Sequence, residues 1–339
     1  MEEYSKAGRT IVETCSRLRP KEVVSIITDE KTIEIGYIIE KFAENIAKEV
    51  HFHVLEEYAD RPLEQIPKEI KKDIKNTDVT YYAAQSKPGE LQKFRGPLVV
   101  LATFSGREIH MPNIEDIIMR TGMQANYFTI ASLTYLITGM AINSKIAKVM
   151  SPNGTNLKIE LSNKLKWVPD TGLLWYKSMW GNLPAGETFT CPKNVEGIMV
   201  VDGILGDFFG EKFGTLEDTP LTIPISNSRA DIQKIHCENE ELLEDFRNYL
   251  QHDENANKVG EFACGTNISL ENFVGNLLQD EKFPGVHIAF GSPYPQLTGA
   301  DWGSSGHVDG IMKKCSLWFD DTLIIEDGKF RVKDALNLD

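Results

Sequence analysis

Several features that assign a protein to a common class are missing from this sequence. No run of about 18 apolar residues occurs in the 339 residues, so no transmembrane helix of ordinary length is predicted. No Lys- or Arg-rich run occurs, and the net charge of −14 disfavours nucleic acid and anionic membranes as partners. A GxGxxG motif after the first predicted strand and a P-loop are also missing, so the usual nucleotide-binding fingerprints are excluded.

Cysteine is scarce and forms no recognisable pairing pattern. The five cysteines are odd in number and widely spaced, and no two of them form a CxxC pair. This usage is typical of reduced thiols, not of a disulfide framework or a structural zinc site. Residues 1–24 carry acidic side chains and no apolar core, unlike a secretory signal. We therefore expect a cytoplasmic protein.

The first 145 residues alternate between strand-like and helix-like patterns, which predicts βαβ units on a mostly parallel sheet. Predicted strands cover 22–28, 51–55, 79–83 and 97–102, and predicted helices cover 32–50, 66–74 and 127–141, the last of them buried. The fold class expected for residues 1–145 is therefore an α/β, doubly wound, Rossmann-like domain.

From residue 146 onward the pattern changes to short β-type runs separated by Gly, Pro and Asn, with one amphipathic helix at 238–250. Predicted strands cover 147–150, 156–161, 188–190, 197–202, 315–319 and 322–325. This pattern predicts that residues 146–339 form a β-rich α+β domain. The metal-ligand candidates described next place the catalytic function in this second domain.

His307-Val308-Asp309 is the most informative short motif, and glycines surround it at Gly306 and Gly310. In a strand, residues i and i+2 point to the same face, so His307 and Asp309 can converge on one ion. A His-x-Asp pair also arises when a buried histidine is simply hydrogen-bonded to a carboxylate. The motif alone leaves both interpretations open.

Further metal-ligand candidates lie in the same part of the chain, namely Glu187, Glu261, Glu281 and His287. Glu261 leads a short apolar run, where a solvent-exposed strand end is the alternative to a ligand role. Glu281 lies in a charged turn, which is usually solvated. Taken together, the set is an oxygen-rich ligand field that suits Zn, Mn or Co, and carboxylates that bridge two ions would make a dinuclear hydrolytic centre.

Four ordered motifs together resemble the aminopeptidase T/aminopeptidase S family of metallopeptidases. They are the run at 182–192 around Glu187, the run at 260–267 that begins Gly-Glu-Phe-Ala-Cys-Gly, the segment from Asp280-Glu-Lys to His287-Ile-Ala-Phe-Gly, and His307-Val-Asp309. The likeness covers about residues 95–330 and includes Arg107-Glu-Ile-His-Met-Pro112 and Asn153-Gly-Thr-Asn156.

The resemblance implies a two-domain, homodimeric exopeptidase with two divalent ions (Zn, Co or Mn), which removes N-terminal residues from peptides or cleaves related amides with a metal-activated water. It implies the ligands Glu187, Glu261, Glu281, His287, His307 and Asp309, with Glu261 as the bridging carboxylate. It also implies that Tyr294 polarises the scissile carbonyl and that Glu187 or Glu281 carries a proton.

The sequence departs from the founding aminopeptidases in three ways. The segment between His287 and His307 is shorter, Glu281 lies one residue further from its histidine, and Gly186 stands beside Glu187 where the founders have a second acid. These departures resemble a shorter branch of the family. They leave the identity of the substrate and the ligand role of Glu281 open.

A second resemblance is to the dihydroxypyridine ring-opening dioxygenases, which share the scaffold and use one iron. In that group a histidine takes the position of Glu261, whereas this chain has Glu261 and keeps His287, as the peptidases do. A mononuclear non-haem iron centre on His287, His307 and Asp309 is the alternative function. A non-catalytic dimeric binding protein on the same scaffold is a third hypothesis, and the complete ligand set argues against it.

Overall fold

The computed structural model describes residues 4–332 and divides the chain into two compact units. The first unit comprises Met1–Ala131 and Asp170–Ala185, and the second comprises Ser132–Pro169 and Gly186–Asp339. The sequence predicts a single division after residue 145. In the structure the chain returns to the first unit at 170–185, because a short strand in that segment pairs with the sheet of the first unit.

Helices and strands alternate in the first part of the chain, and strands predominate in the second. The strands are β1 Val23–Thr28, β2 Glu49–Val54, β3 Val79–Ala83, β4 Arg107–His110, β5 Ile146–Met150, β6 Asn156–Glu160, β7 Val168–Asp170, β8 Trp180–Asn182, β9 Glu187–Thr190, β10 Asn194–Val201, β11 Leu221–Ser226, β12 Arg229–Ala230, β13 Val259–Gly265, β14 Gly285–Gly291, β15 His307–Met312, β16 Ser316–Phe319, β17 Thr322–Glu326 and β18 Lys329–Phe330. The α-helices are α1 Ser5–Arg9, α2 Ile33–Glu44, α3 Lys68–Ile74, α4 Gly96–Ser105, α5 Asp116–Arg120, α6 Tyr127–Ile142, α7 Asp207–Phe213, α8 Glu240–Tyr249, α9 Leu277–Asp280 and α10 Pro295–Thr298. Short 3-10 or π-helical turns cover Thr10–Cys15, Leu55–Glu57, Leu91–Arg95, Gly122–Gln124 and Ile232–Lys234.

The first unit is built on a parallel sheet with the strand order β2-β1-β3-β4-β8. β3 is buried along its whole length, as expected for a strand covered on both faces. Helix α2 buries Ile35, Ile39 and Ala43, which lie four residues apart along one helix face. The predicted α/β class and the mostly parallel sheet are therefore confirmed.

One predicted strand of this unit is wrong. Residues 97–102 form part of helix α4, and the strand of this region is β4, which begins five residues later. The run Pro97-Leu-Val-Val-Leu-Ala102 is uniformly apolar, and such a run does not distinguish a strand from a helix by its periodicity. Pro97 lies in the first turn of α4, where its missing N–H group has no intrahelical partner to lose.

Helix α6 covers the predicted helix at 127–141, but it is not buried all round. Phe128 and Tyr135 expose more than half of their side chains, whereas Tyr127, Ile130 and Ile137 are buried. Among residues 4–332, no single helix is long and apolar enough to cross a membrane. Segments Asp116–Gln124 and Tyr127–Ile142 pass that test of length and composition only when they are joined across a bend.

The second unit contains two antiparallel sheets. The larger has the order β12-β11-β10-β6-β5-β16-β17-β18, and the smaller has the order β15-β14-β13-β9-β7. Their apolar residues form one core with helix α8, which is anchored by Leu242 and Phe246. This β-rich arrangement with few helices agrees with the predicted α+β class. The smaller sheet carries the candidate ligands.

Candidate metal centre

The smaller sheet of the second unit has one apolar and one polar face. Residues that point to the first face, among them Phe262, Ile288 and Val308, belong to the core. The opposite face carries Glu187 on β9, Glu261 on β13, His287 on β14, and His307 and Asp309 on β15. Strand alternation therefore collects five of the predicted ligands on one face.

Small residues make room for these side chains. Glu187 lies opposite Gly265, His287 opposite Ala263, and His307 opposite Gly291. Ala289 lies between Glu261 and Asp309 and pairs with both of them. Because directly paired residues share a face, the short side chains of Ala263 and Ala289 leave space for the longer polar side chains. Gly265 and Gly291 instead permit close backbone contacts, since a Cβ would lie 2.1 Å from the carbonyl oxygen of Phe283 and 2.3 Å from that of Gly306, respectively.

A β-bulge at Gly260 places Glu261 on the polar face. The pairing with β14 shifts between Val259 and Glu261, so that Val259 pairs with Phe290 in the core and Glu261 pairs with Ala289. Without the extra residue, Val259 and Glu261 would share one face. A side chain at Gly260 would meet the carbonyl oxygen of Gly291 at 2.2 Å, so the bulge depends on this glycine.

Glu187, Glu261 and His287 form one group of donor atoms. His287 Nε2 lies 3.4 Å from Glu187 Oε2 and 3.3 Å from Glu261 Oε1. His287 Nε2 and Glu187 Oε2 are both buried and accept or donate no hydrogen bond within residues 4–332. Buried polar atoms without a partner are costly, and a cation between them would satisfy both. This part of the site fits a metal ion.

Glu261, His307 and Asp309 form a second group. His307 Nε2 lies 3.3 Å from Asp309 Oδ1 and 3.7 Å from Glu261 Oε2. His307 Nδ1 donates a hydrogen bond to the carbonyl oxygen of Ser292 at 2.9 Å, so Nδ1 carries a proton. Nε2 is therefore the nitrogen that could bind a metal ion. The donor atoms in each group lie within 4.8 Å of one another, and Glu261 belongs to both groups.

Glu281 completes a third possible group with His287 and Asp309. The solvated alternatives for Glu261 and Glu281 are wrong, because Glu261 is buried and the Glu281 side chain is only 12% exposed. The structure thus brings all six predicted ligands together. Their assignment as ligands stays a prediction.

Lys282 belongs to the cluster, although the sequence patterns do not indicate it. Its side chain is 1% exposed, and its Nζ lies 2.6 Å from Glu187 Oε1 and 2.8 Å from Glu281 Oε1. A lysine is almost never buried unless it is paired with an opposite charge. A lysine in a charged turn is therefore expected to be solvent-exposed. The one available signal is the following Phe283-Pro284, an apolar pair that is unusual in a solvated turn.

The surplus of carboxylates shifts the pKa values of the histidines. Burial favours the neutral imidazole, yet the carboxylate of Glu261 beside it raises the pKa of His287 to about 9. Burial acts likewise on His307, and Asp309 outweighs it and raises the pKa of His307 to about 10. Both shifts follow from the excess of carboxylates around the two imidazoles.

Tyr294 lies over the second group. Its ring contacts that of His307 with centroids 4.6 Å apart and planes inclined by 45°, and it makes an edge contact with Phe189. Its backbone has the left-handed conformation at φ 48°, which is uncommon for a bulky residue and often marks a functional position. Burial raises the pKa of Tyr294 well above its usual value, so the hydroxyl stays protonated and can donate a hydrogen bond.

The two cysteines nearest to the cluster in the sequence are not placed as metal ligands. Cys264 is buried on the apolar face of β13 and belongs to the core. Burial raises the pKa of the Cys191 thiol to about 11, which disfavours the thiolate that binds metal. The donors brought together are therefore imidazole nitrogens and carboxylate oxygens. Such a set suits a hard or borderline divalent ion such as Zn, Mn, Co or Fe.

The comparison with protein families gives one match, over residues 136–332, to the family described as NicX: 2,5-dihydroxypyridine 5,6-dioxygenase. The chain belongs to this family. The match spans more than half of the chain and includes every candidate ligand. A comparison with curated proteins found no match.

Two of the solved structures that match have a similar fold. A 2,5-dihydroxypyridine dioxygenase from Pseudomonas putida KT2440 has a TM-score of 0.68 at 14% identity, with 98% of each chain covered. Wild-type AmpT from Thermus thermophilus has a TM-score of 0.68 at 17% identity, covering 97% of this chain and 99% of its own. Both scaffolds named by the resemblance are supported, and at these identities the likeness concerns the fold. The fold is one that enzymes use.

Proposed function

We propose that this protein is a divalent-metal-dependent, aminopeptidase-like hydrolase that takes two ions. The observation that carries the proposal is the position of Glu261, whose Oε1 faces His287 and whose Oε2 faces His307. A carboxylate shared by two donor groups is the arrangement that dinuclear hydrolases require. A bound pair of ions would supply an activated water and polarise a carbonyl group.

The side chains around the ligands fit amide hydrolysis. Tyr294 keeps its hydroxyl proton and lies beside His307, so it can donate a hydrogen bond to an oxyanion that develops there. Glu281 lies at the edge of the cluster, near His287 and Asp309, where it can accept a proton and pass it to a leaving amine. Four carboxylates in one cluster also favour a substrate with a free amino group.

The second candidate is a ring-opening dioxygenase with one iron, and the family match favours it. His287, His307 and Asp309 could form its facial triad, since each of the two imidazoles lies within 4.0 Å of the carboxylate. A facial triad works by leaving coordination positions open for oxygen and substrate. Glu187 and Glu261 face the same space and would fill those positions, which supports hydrolysis instead.

Metal analysis and a paired substrate panel would test the proposal. The protein is stripped with a chelator, reloaded separately with Zn, Co, Mn or anaerobic Fe(II), and assayed with aminoacyl-anilides and their N-acetylated counterparts. We expect two ions per chain, release of the anilide only when the amino group is free, and no oxygen uptake with 2,5-dihydroxypyridine. One iron per chain with oxygen-dependent ring opening and no amide cleavage would establish the dioxygenase instead.

Two divalent ions chosen from Zn, Co or Mn, a homodimeric assembly and a cytoplasmic location remain predictions that follow from the resemblance and the composition. The same preparations would identify the metal by elemental analysis. Sedimentation would give the assembly.

A further inference from the structure

Lys282 is the fixed positive charge of the candidate metal centre. Its ammonium lies between Glu187 Oε1 and Glu281 Oε1 at 2.6 and 2.8 Å, and its side chain is 1% exposed. A buried ammonium is costly unless nearby charges compensate it, and these two carboxylates do so. The lysine is therefore committed to the centre.

The backbone that carries Lys282 is held on both sides. The carbonyl oxygen of Lys282 accepts a hydrogen bond from Asn267 N at 3.0 Å. Two residues earlier, the Asp280 carboxylate accepts hydrogen bonds from the backbone N–H groups of Val274 and Gly275 at 2.9 and 2.8 Å. Gly265 permits the close approach of the Lys282 backbone to β13, because a Cβ at position 265 would lie 2.9 Å from the Lys282 carbonyl carbon. The ammonium is thus placed by the fold.

The two carboxylates that Lys282 contacts are not equivalent. Glu187 uses Oε1 for the lysine and keeps Oε2 directed at His287 Nε2, 3.4 Å away. It can bind the lysine and a metal ion together. Glu281 has its Oε1 on the ammonium, and an ion bound by Glu281, His287 and Asp309 would lie next to that ammonium. Like charges at such short range repel strongly in a buried site.

We propose that Lys282 takes the place of a metal ion beside Glu281. It confines the ions to the Glu187–Glu261–His287 and Glu261–His307–Asp309 groups and keeps Glu281 outside the coordination shell. This differs from the ligand role that the resemblance implies for Glu281. The proposal rests on the metal centre of the proposed function but not on its substrate.

A double-mutant cycle with Co²⁺ as the probe tests the proposal. Dissociation constants and visible spectra are measured for the whole protein and for E281Q, K282M and the E281Q/K282M pair. We expect E281Q to change the dissociation constant by less than about threefold in the native background. In the K282M background Glu281 becomes free to coordinate, so E281Q should weaken binding by at least the roughly 10- to 100-fold that loss of a residue supporting a metal ligand costs. The Co²⁺ spectrum should change in K282M and return to that of the native protein in the E281Q/K282M double variant.

Two controls keep the roles apart. E187Q should weaken Co²⁺ binding in both backgrounds, because Glu187 is a ligand whether or not the lysine is present. K282R keeps the positive charge, so adding E281Q to K282R should leave the Co²⁺ dissociation constant nearly unchanged. If circular dichroism shows that K282M does not fold, the effect of E281Q in the native and K282R backgrounds still tests whether Glu281 is a ligand beside a positive charge.

An E281Q variant that binds Co²⁺ about tenfold more weakly with Lys282 present would overturn the proposal, since Glu281 would then already be a ligand. Equal effects of E281Q in both backgrounds would overturn it as well. Absence of Co²⁺ binding by the native protein would instead remove the metal centre of the proposed function. Intact binding without amide cleavage would remove only the hydrolase.

Discussion

Glu261 and His307 differ in how many donor groups they serve. Glu261 belongs to both groups, whereas His307 belongs to the one with Asp309. We therefore expect E261Q to lose both ions and H307A to keep one, held by Glu187, His287 and Glu261. Elemental analysis after dialysis against a weak chelator would measure the stoichiometry. Catalytic activity should fall by more than about 10- to 100-fold in both variants, since loss of a residue that merely supports a metal ligand already costs that much.

His236 offers a matched control, because it is exposed and lies away from the cluster. An H236A variant should keep two ions and full activity. An H307A variant with both ions bound would contradict the assignment of His307. Equal ion loss in E261Q and H307A would show that the two groups do not bind independently.

The residues that the sequence does and does not reveal differ in a physical way. His307 and Asp309 are predictable because strand alternation fixes their relation within three residues. Glu281 is predictable only through the resemblance, since its turn looks solvated. Lys282 is not predictable, because its burial depends on Glu187, which lies 95 positions away in the sequence. A pattern of neighbouring residues cannot predict an ion pair between residues so far apart in the sequence.

The bulge at Gly260 connects the strand to the centre. A Cβ on residue 260 would lie 2.2 Å from the carbonyl oxygen of Gly291, so G260A must displace β13 from β14 or remove the bulge. We expect G260A to lower the free energy of unfolding by about 1 to 3 kcal/mol, typical of overpacking. Loss of the bulge would also turn Glu261 toward the core and weaken metal binding.

Denaturant titration and metal titration of G260A measure both effects. G303A is the matched control, because a Cβ at Gly303 meets no atom within 4 Å. It should be close to neutral in both measurements. Native metal affinity in a folded G260A variant would show that the bulge does not position Glu261.

The bulge and helix α4 show where element prediction fails. Strict alternation places Glu261 on the same face as Val259, and only the irregular pairing with β14 reverses this. The apolar run of α4 is compatible with either structure, and the decision comes from packing, because Leu98 and Ala102 enter the core of the first unit. Strands such as β1 and β3 are predicted well because they are buried and bounded by turns. Tertiary pairing decides the rest.

At the scale of the whole molecule, the candidate metal ligands and the parallel sheet belong to different units. All candidate ligands lie in the second unit, and β1 to β4 lie in the first. An ion at 100 times its dissociation constant stabilises the folded state by about 2.7 kcal/mol, and a chelator removes that contribution. Hydrogen exchange can show which part of the chain loses this stabilisation when the ion is removed.

We expect chelation to raise amide exchange in β9, β13, β14 and β15, because their ligands lose the ion that joins them and the carboxylates then repel one another. Exchange in β1 and β3 should stay unchanged. Hydrogen-exchange mass spectrometry with and without chelator makes the comparison within a single molecule, so the parallel sheet is its own control. A uniform rise in both units would mean that the ion stabilises the chain globally, whereas no rise in β13 and β14 would place the ion elsewhere.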